Sequence, residues 1–162
     1  MGAANSVLGA ATGNTSSSAS YGSNQQLSGT QLQKIDSGLT VQSSNTQLKQ
    51  AVTEAKPNIR QFLSIAACQI HNTNASQIKG VSHLIATGTW KYAVAPLNRG
   101  EILQAHPDGK CMEVSRIYGW KMEAQKSFSF KVLFVSPYSD QTTERKAVWI
   151  KEDDNVWRIS SF

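Results

Sequence analysis

The side chains that could act as acids, bases or nucleophiles are few and widely separated. The three histidines, His71, His83 and His106, are not spaced with a carboxylate as a catalytic dyad would be. Each stands where exposed polar residues are common, so none is expected to be catalytic. The acidic residues at 140 and 152–154 fall in predicted turns, where turn geometry alone accounts for them.

One carboxylate, that of Glu113, could point into the fold from a strand. Tyr92 and Tyr118 are the hydrogen-bond donors that would join it, and such a trio in an apolar pocket suits proton transfer or small-ligand binding. An outward-facing glutamate on an edge strand explains Glu113 equally well. The sequence contains no glycine-rich phosphate loop, nucleophile elbow or metal-ligand spacing, so we expect no cofactor and no bound metal.

Basic residues and a tryptophan are predicted to share one face of a C-terminal sheet. This predicted interaction face comprises Lys131, Arg145, Trp149, Lys151 and Arg158. Trp149 would lie opposite Arg158, at a distance suited to a cation–π contact. Tryptophan and arginine anchor many protein interfaces, and basic residues interleaved with an aromatic ring also bind single-stranded nucleic acid. A plain solvated sheet face would show the same pattern.

The state of the two cysteines, Cys68 and Cys111, bears on the compartment of the protein. A pair in an exported protein is often a disulfide, whereas two buried free thiols in a cytosolic protein look identical in sequence. Both interpretations stay open on the sequence alone.

Three runs rich in alternating, β-branched or aromatic residues predict the strands that position these side chains. They span residues 127–135, 143–151 and 156–162, joined by polar loops. Counting back from the loops pairs Phe130 with Val148, and Ile150 with Trp157. One apolar face would then hold Phe128, Phe130, Val148, Ile150, Trp157 and Ile159, with Trp149 and the basic residues on the other face.

An amphipathic helix is predicted to begin near Thr46 and to cover the apolar face of this sheet. Pro57 indicates a kink or a division into two helices. Residues 89–94 resemble a strand, as do residues 111–120, in which Tyr118 and Trp120 would share one side. Residues 1–45 carry only the charges of Lys34 and Asp36 and are rich in small polar residues, so they are expected to be a disordered lead to a domain at 46–162.

A set of residues in the tail carries a resemblance to a known superfamily. They are Phe130, Val132, Phe134 and Ser136 on one strand, Glu144, Val148, Trp149, Lys151 and the acidic turn at 152–154, and then Trp157, Arg158, Ile159 and Ser160; residues 96–100 add a shorter match. With helices first and a bent antiparallel sheet after them, the chain resembles the cystatin-like, or nuclear-transport-factor-like (NTF2-like), superfamily. The resemblance implies an α+β fold with N-terminal helices packed on a curved antiparallel sheet.

That superfamily contains isomerases and dehydratases with a pocket in the cone of the sheet, and also non-enzymatic assembly factors of type IV secretion and conjugation machines. We expect a non-enzymatic, exported interaction module with protein partners, including further copies of itself. The alternatives are a small-ligand-binding or isomerase/lyase-type enzyme and a nucleic-acid-binding domain. The formal charge of +5 favours acidic partners, and no apolar run is long enough for a transmembrane segment.

Overall fold

Two helices pack on one face of a four-stranded antiparallel sheet, which is the α+β class that the sequence predicts. The computed structural model describes residues 26–71, 78–98, 106 and 110–162. Three sets of earlier predictions lie outside these ranges. They are residues 1–25 of the proposed lead, residues 99–100 of the superfamily resemblance and the side chain of His71. The elements are α1 (Gly29–Gly38), α2 (Thr46–Ala66), β1 (Ile70–His71), a 3-10 helix (Ser82–Leu84), β2 (Leu97–Asn98), β3 (Glu113–Ala124), β4 (Ser127–Val135), β5 (Thr142–Lys151) and β6 (Trp157–Ser161).

Helix α2 is the cover that the apolar face of the sheet requires. Asn45 caps its first turn by accepting a hydrogen bond from the Leu48 amide at 3.0 Å. Pro57 lies inside one continuous helix, so the two-helix alternative is wrong. The buried stripe of the helix consists of Leu48, Ala51, Val52, Ala55, Ile59, Phe62, Leu63 and Ala66.

Helix α1 corrects the predicted boundary of the disordered lead. Composition places residues 26–45 in that lead, yet Gly29–Gly38 is helical, and Ser28 accepts a hydrogen bond from the Gln31 amide as its N-cap. Ile35 is fully buried, and Asp36 pairs with Arg60 of α2 at 2.9 Å. A few apolar residues fix this helix through tertiary packing, which composition does not reveal.

The register of the three C-terminal strands differs from the prediction by one residue in each hairpin. Phe128 lies opposite Trp149, not Ile150, and Trp149 lies opposite Ile159, not Arg158. The strand bounds agree closely with prediction, but the side chains of β5 point to the faces opposite to those expected. Since side chains alternate along a strand, a slip of one residue exchanges the two faces.

Strand β3 changes faces at a bulge next to Gly119. Gly119 has φ +68°, a left-handed conformation that glycine adopts without strain. The bulge sends Tyr118 to the face away from the helices, opposite Lys131, while the ring of Trp120 approaches Phe130 at 4.5 Å on the core face. The prediction that both aromatic residues share one side is therefore wrong.

A disulfide joins Cys68, just after α2, to Cys111, just before β3. The bonded alternative for the two cysteines is therefore the one found. The Met112 amide also donates to the Ala67 carbonyl at 2.7 Å, so a covalent and a hydrogen-bonded link hold the end of the helix to the start of the sheet. No helix in the described ranges is long and apolar enough to cross a bilayer.

Candidate interaction surface

The face of the sheet that points away from the helices is the broadest candidate site, and we call it the outer sheet face. Directly opposed residues of an antiparallel sheet share a face. Tyr118, Lys131 and Lys146 lie in one such row across β3, β4 and β5. The row is only partly buried, in contrast to the closed core face behind it.

An ion-paired cluster occupies the centre of this face. Lys131 pairs with Glu144 at 3.0 Å, and the hydroxyl of Tyr118 donates to the same carboxylate. These two contacts, first that of Tyr118 and then that of Lys131, lower the pKa of Glu144 below its ordinary value. The guanidinium of Arg116 lies 4.2 Å from the centroid of the Tyr118 ring. The cluster therefore presents fixed charges of both signs.

A second carboxylate, that of Glu123, organises the neighbouring part of the face. It accepts a hydrogen bond from the Ser129 hydroxyl at 2.6 Å and pairs with Lys146 at 3.0 Å and Lys121 at 3.4 Å. The hydroxyl and the ammonium groups lower its pKa to about 2. Three polar side chains are thus held in place by one acidic group.

Half-buried aliphatic side chains lie along β4 and β5, on either side of this row. They are Leu133, Val135, Val148 and Ile150. No described element packs over them, as helix α2 does over the opposite face. The outer sheet face therefore combines apolar contact area with ordered charges of both signs.

The predicted interaction face survives only in part, because the register places its members on two faces. Lys131 and Arg158 lie on the outer sheet face, Arg158 with its guanidinium paired to Glu152 and Asp154, each at 2.7 Å. Trp149, the centre of the predicted face, is fully buried in the core. The expected contact between Trp149 and Arg158 is therefore wrong.

Arg145 and Lys151 also face the helix side, contrary to the prediction. Arg145, opposite Val132, donates to the carbonyls of Ala95 at 3.1 Å and Pro96 at 3.1 Å and lies over the ring of Phe162. Lys151 pairs with Glu54 of α2 at 2.8 Å. Arg145 thus links β5 to residues 95–96, and Lys151 links β5 to α2, both at the edge of the core.

The three residues of the predicted pocket do not converge. Glu113 lies opposite Val135 at the start of β3, and the Tyr118 hydroxyl donates a hydrogen bond to Glu144 on the outer sheet face. Tyr92 belongs to a turn, not a strand, and is 47% exposed. The arrangement gives no enclosed site in which the Glu113 carboxylate meets both tyrosines.

A buried pair, His106 and Ser136, was missed by sequence reasoning. The imidazole Nδ1 lies 2.8 Å from the Ser136 hydroxyl, and Nε2 lies 3.2 Å from the Lys110 carbonyl. A carbonyl only accepts, so Nε2 carries a proton and donates to the Lys110 carbonyl. Both side chains are almost fully buried, with Tyr138 packed against the imidazole, so the pair links residue 106, which precedes β3, to the end of β4.

Comparison of the chain with known proteins gives no match to a family model, to a curated protein or to a solved structure. The function must therefore be argued from the surfaces that the fold presents.

Proposed function

We propose that the chain is a non-enzymatic protein-interaction module that docks through its outer sheet face, as an assembly component of a bacterial secretion or conjugation apparatus. The observation that carries this proposal is the contrast between the two faces of one sheet. One face is covered by α2, whereas the other combines half-buried aliphatic residues with ion-paired charges.

The charge pattern of the outer sheet face favours a protein partner over nucleic acid. Lys131 and Lys146 are already paired with Glu144 and Glu123, so the face is of mixed sign and does not form an uncompensated basic track for phosphates. The stacking platform on which the nucleic-acid alternative depended was Trp149, which is buried. A mixed, partly apolar surface is what a folded protein partner can complement.

The packing of the core face favours binding over catalysis. The space between sheet and helices is filled by aromatic rings: Phe62 meets Trp149 at 6.0 Å and Phe162 at 4.9 Å, both edge to face. In the enzymes of the superfamily that the sequence resembles, this side of the sheet would hold the pocket. Here the space is occupied by side chains that stabilise the fold.

The disulfide supports an exported location, and with it a role in a cell-envelope assembly. Disulfides form and persist in oxidising compartments such as the periplasm and are rare in the reducing cytosol. The Cys68–Cys111 bond closes a segment with a sequence separation of 43 residues between its ends. Such a bond suits a small domain that must stay folded outside the cytosol.

The test is complementation of a deletion strain of the source bacterium with wild-type protein, Leu133→Glu or Gln61→Glu. Leu133 lies on the outer sheet face, and Gln61 lies on the exposed side of α2, so both variants add one negative charge at different surfaces. Leu133→Glu is expected to lower secretion or conjugation about tenfold or more, the effect of losing roughly 1.4 kcal/mol of binding free energy. Gln61→Glu should complement fully.

A photo-crosslinker at position 133 should capture a partner of the apparatus, and the same crosslinker at position 61 should not. The proposal fails if deletion leaves secretion and conjugation unchanged, or if the two variants complement equally well. Circular dichroism and thermal unfolding of both variants establish that neither effect comes from misfolding.

A further inference from the structure

Two aromatic side chains stand side by side in solvent on a turn at the edge of the sheet, and we call residues 90–92 the aromatic turn. Trp90 is 66% exposed and Tyr92 is 47% exposed. Each large aromatic side chain can contribute about 150–250 Å² of buried area on binding. The turn therefore holds a large contact area that the fold itself does not use.

The backbone of the aromatic turn is fixed to the sheet. The Ala93 amide donates to the Trp90 carbonyl at 2.8 Å, which closes the turn, and the Phe162 amide donates to the Ala93 carbonyl at 2.8 Å. The preceding segment bridges to β6 through Ile85 and Ile159. The exposed rings are thus presented from a hydrogen-bonded base at the edge of the sheet.

The chemistry of the turn is aromatic and cationic together. The rings of Trp90 and Tyr92 lie 4.8 Å apart at 65°, and the Lys91 ammonium lies 4.8 Å from the Tyr92 centroid. Within the described part of the chain, Lys91 has no carboxylate partner. Its charge is therefore available to an external anion.

The angle between the rings decides which kind of partner fits. A nucleobase or a sugar ring lies flat on an aromatic face, but one face of Tyr92 is taken by Lys91 and the two rings do not form a common plane. The headgroup layer of a bilayer has no such requirement. There, tryptophan and tyrosine place their apolar bodies toward the acyl chains and their N–H and O–H groups toward headgroups, at any mutual angle.

Charge complementarity identifies the kind of bilayer. The chain carries a formal charge of +5, and Lys79 is a further lysine that lacks an ion pair in the described ranges. Glu152, which accepts from the Thr87 amide before the turn, is neutralised by Arg158 at 2.7 Å. An anionic surface attracts such a protein, whereas a neutral one does not.

We propose that the aromatic turn docks the protein on an anionic phospholipid surface, with Trp90 and Tyr92 at headgroup depth and Lys91 against the lipid phosphates. This binding is peripheral and uses residues other than those of the outer sheet face. It would hold the module at a membrane while the outer sheet face remains free for a protein partner.

The experiment is co-flotation of the full chain with vesicles of 70% phosphatidylcholine and 30% phosphatidylglycerol, compared with vesicles of pure phosphatidylcholine. Wild type is expected to float only with the anionic vesicles. The double variant Trp90→Ala, Tyr92→Ala should bind roughly tenfold more weakly or worse, because apolar insertion is lost. Lys91→Ala should bind about fivefold more weakly, the effect of one lysine at a charged bilayer surface.

Lys126→Ala is the matched control, since Lys126 is an exposed lysine without an ion pair in the β3–β4 turn. It should change vesicle binding less than twofold. Trp90→Phe supplies a second readout: wild-type tryptophan emission should shift to the blue on binding, and this variant should bind while losing the shift. Trp149 and Trp157 are buried already, and Trp120 packs against Phe128 and Phe130, so these three side chains do not report insertion of the turn.

The proposal is overturned if wild type does not float with anionic vesicles, if the double variant binds as tightly as wild type, or if Lys91→Ala and Lys126→Ala weaken binding equally. The last result would mean attraction by overall charge without docking of the turn. Trp90 and Tyr92 are exposed, so Trp90→Phe and the double variant should both unfold at the wild-type temperature. The emission of Trp90→Phe tests insertion independently of the double variant.

Discussion

Trp157 donates its indole N–H to the carboxylate of Glu54 at 3.0 Å, which joins the last strand of the sheet to the helix that covers it. Lys151 donates to the same carboxylate at 2.8 Å. Hydrogen bonds from Lys151, Trp157 and Gln50, in that order, lower the pKa of Glu54 from 4.5 to about 2. Glu54 is therefore the polar link at the edge of the helix–sheet interface.

Removing the charge of Glu54 should destabilise the protein in a pH-dependent way. The lowered pKa means that the carboxylate contributes its full stability above about pH 4.5, and that this contribution disappears as the pH falls from there toward 2. Glu54→Gln should lower the free energy of unfolding at pH 7 by about 0.5–1 kcal/mol, a modest value because the side chain is partly exposed and the ion pair is screened. Urea titrations at pH 7 and pH 3 measure the difference.

The variant and wild type should converge in stability at low pH, where the wild-type carboxyl is protonated. A constant difference between the two proteins from pH 7 to pH 2 would contradict a role for the Glu54 charge. The amide introduced by Glu54→Gln keeps an acceptor oxygen for Trp157, so the comparison isolates the charge from the hydrogen bond.

Truncation of Trp149 should be among the most damaging single changes in the sheet. The side chain is fully buried and packs edge to face with Phe62 at 6.0 Å, so Trp149→Ala should cost about 3–5 kcal/mol. Its indole N–H has no acceptor in the described structure, so Trp149→Phe should cost much less, about 1.5 kcal/mol or below. Chemical denaturation of both variants tests the register directly. If Trp149 lay on the outer sheet face, Trp149→Ala would change stability by only about 0.5 kcal/mol.

The sequence predicts the three C-terminal strands almost to the residue because alternation and β-branching mark them locally. It does not predict which way β5 faces, because that depends on the two turns at its ends. Asp140 and Asn155 adopt positive φ values of 57° and 65°, and each turn shifts the pairing by one residue from a simple count of loop length. The shift moves Trp149 and Arg145 from the predicted exposed face to the core side.

The candidate surface was only partly predictable for the same reason. Lys131 lies on β4, whose orientation follows from its own phenylalanines, so its exposed position could be read from the pattern. The sequence favours a strand at the aromatic turn because residues 89–94 have strand composition, and composition does not show that Trp90 and Tyr92 find no packing partner in the core. Pro96 follows this run closely, and a proline cannot donate a hydrogen bond to a neighbouring strand, so its position was the sequence feature that argued against a paired strand.

Loss of the disulfide should lower stability without changing the surfaces. The chain-entropy estimate for closing the segment from Cys68 to Cys111, 43 residues apart, is about 4 kcal/mol, and replacement of both cysteines by serine should cost about 2–4 kcal/mol. The oxidised and reduced wild type should differ by a similar amount in free energy of unfolding, measured by urea titration. Thiol titration of the denatured, non-reduced protein should find no free thiol among the two cysteines. Two free thiols in protein purified from the source compartment would contradict the bond and weaken the case for export.

Arg145 should be essential for holding the segment before β2 to the sheet. Its planar guanidinium donates to the carbonyls of Ala95, Pro96 and Phe162 at 3.1, 3.1 and 3.3 Å. A lysine ammonium is a compact charge and does not reach three acceptors spaced in this way. Arg145→Ala should lower the free energy of unfolding by about 2 kcal/mol, since charged donors to partly buried carbonyls contribute more than neutral ones. Arg145→Lys should recover only part of that loss.

The neighbouring residue provides the control for Arg145, because Lys146 on the same strand points to the opposite face and is 56% exposed. Lys146→Ala should change stability by less than about 0.5 kcal/mol. Hydrogen exchange gives a local readout: the Phe162 amide, which donates to the Ala93 carbonyl, should exchange faster in Arg145→Ala and at the wild-type rate in Lys146→Ala. Equal effects of the two alanine substitutions would show that Arg145 does not fasten this segment, and that β5 does not face the helices as the register requires.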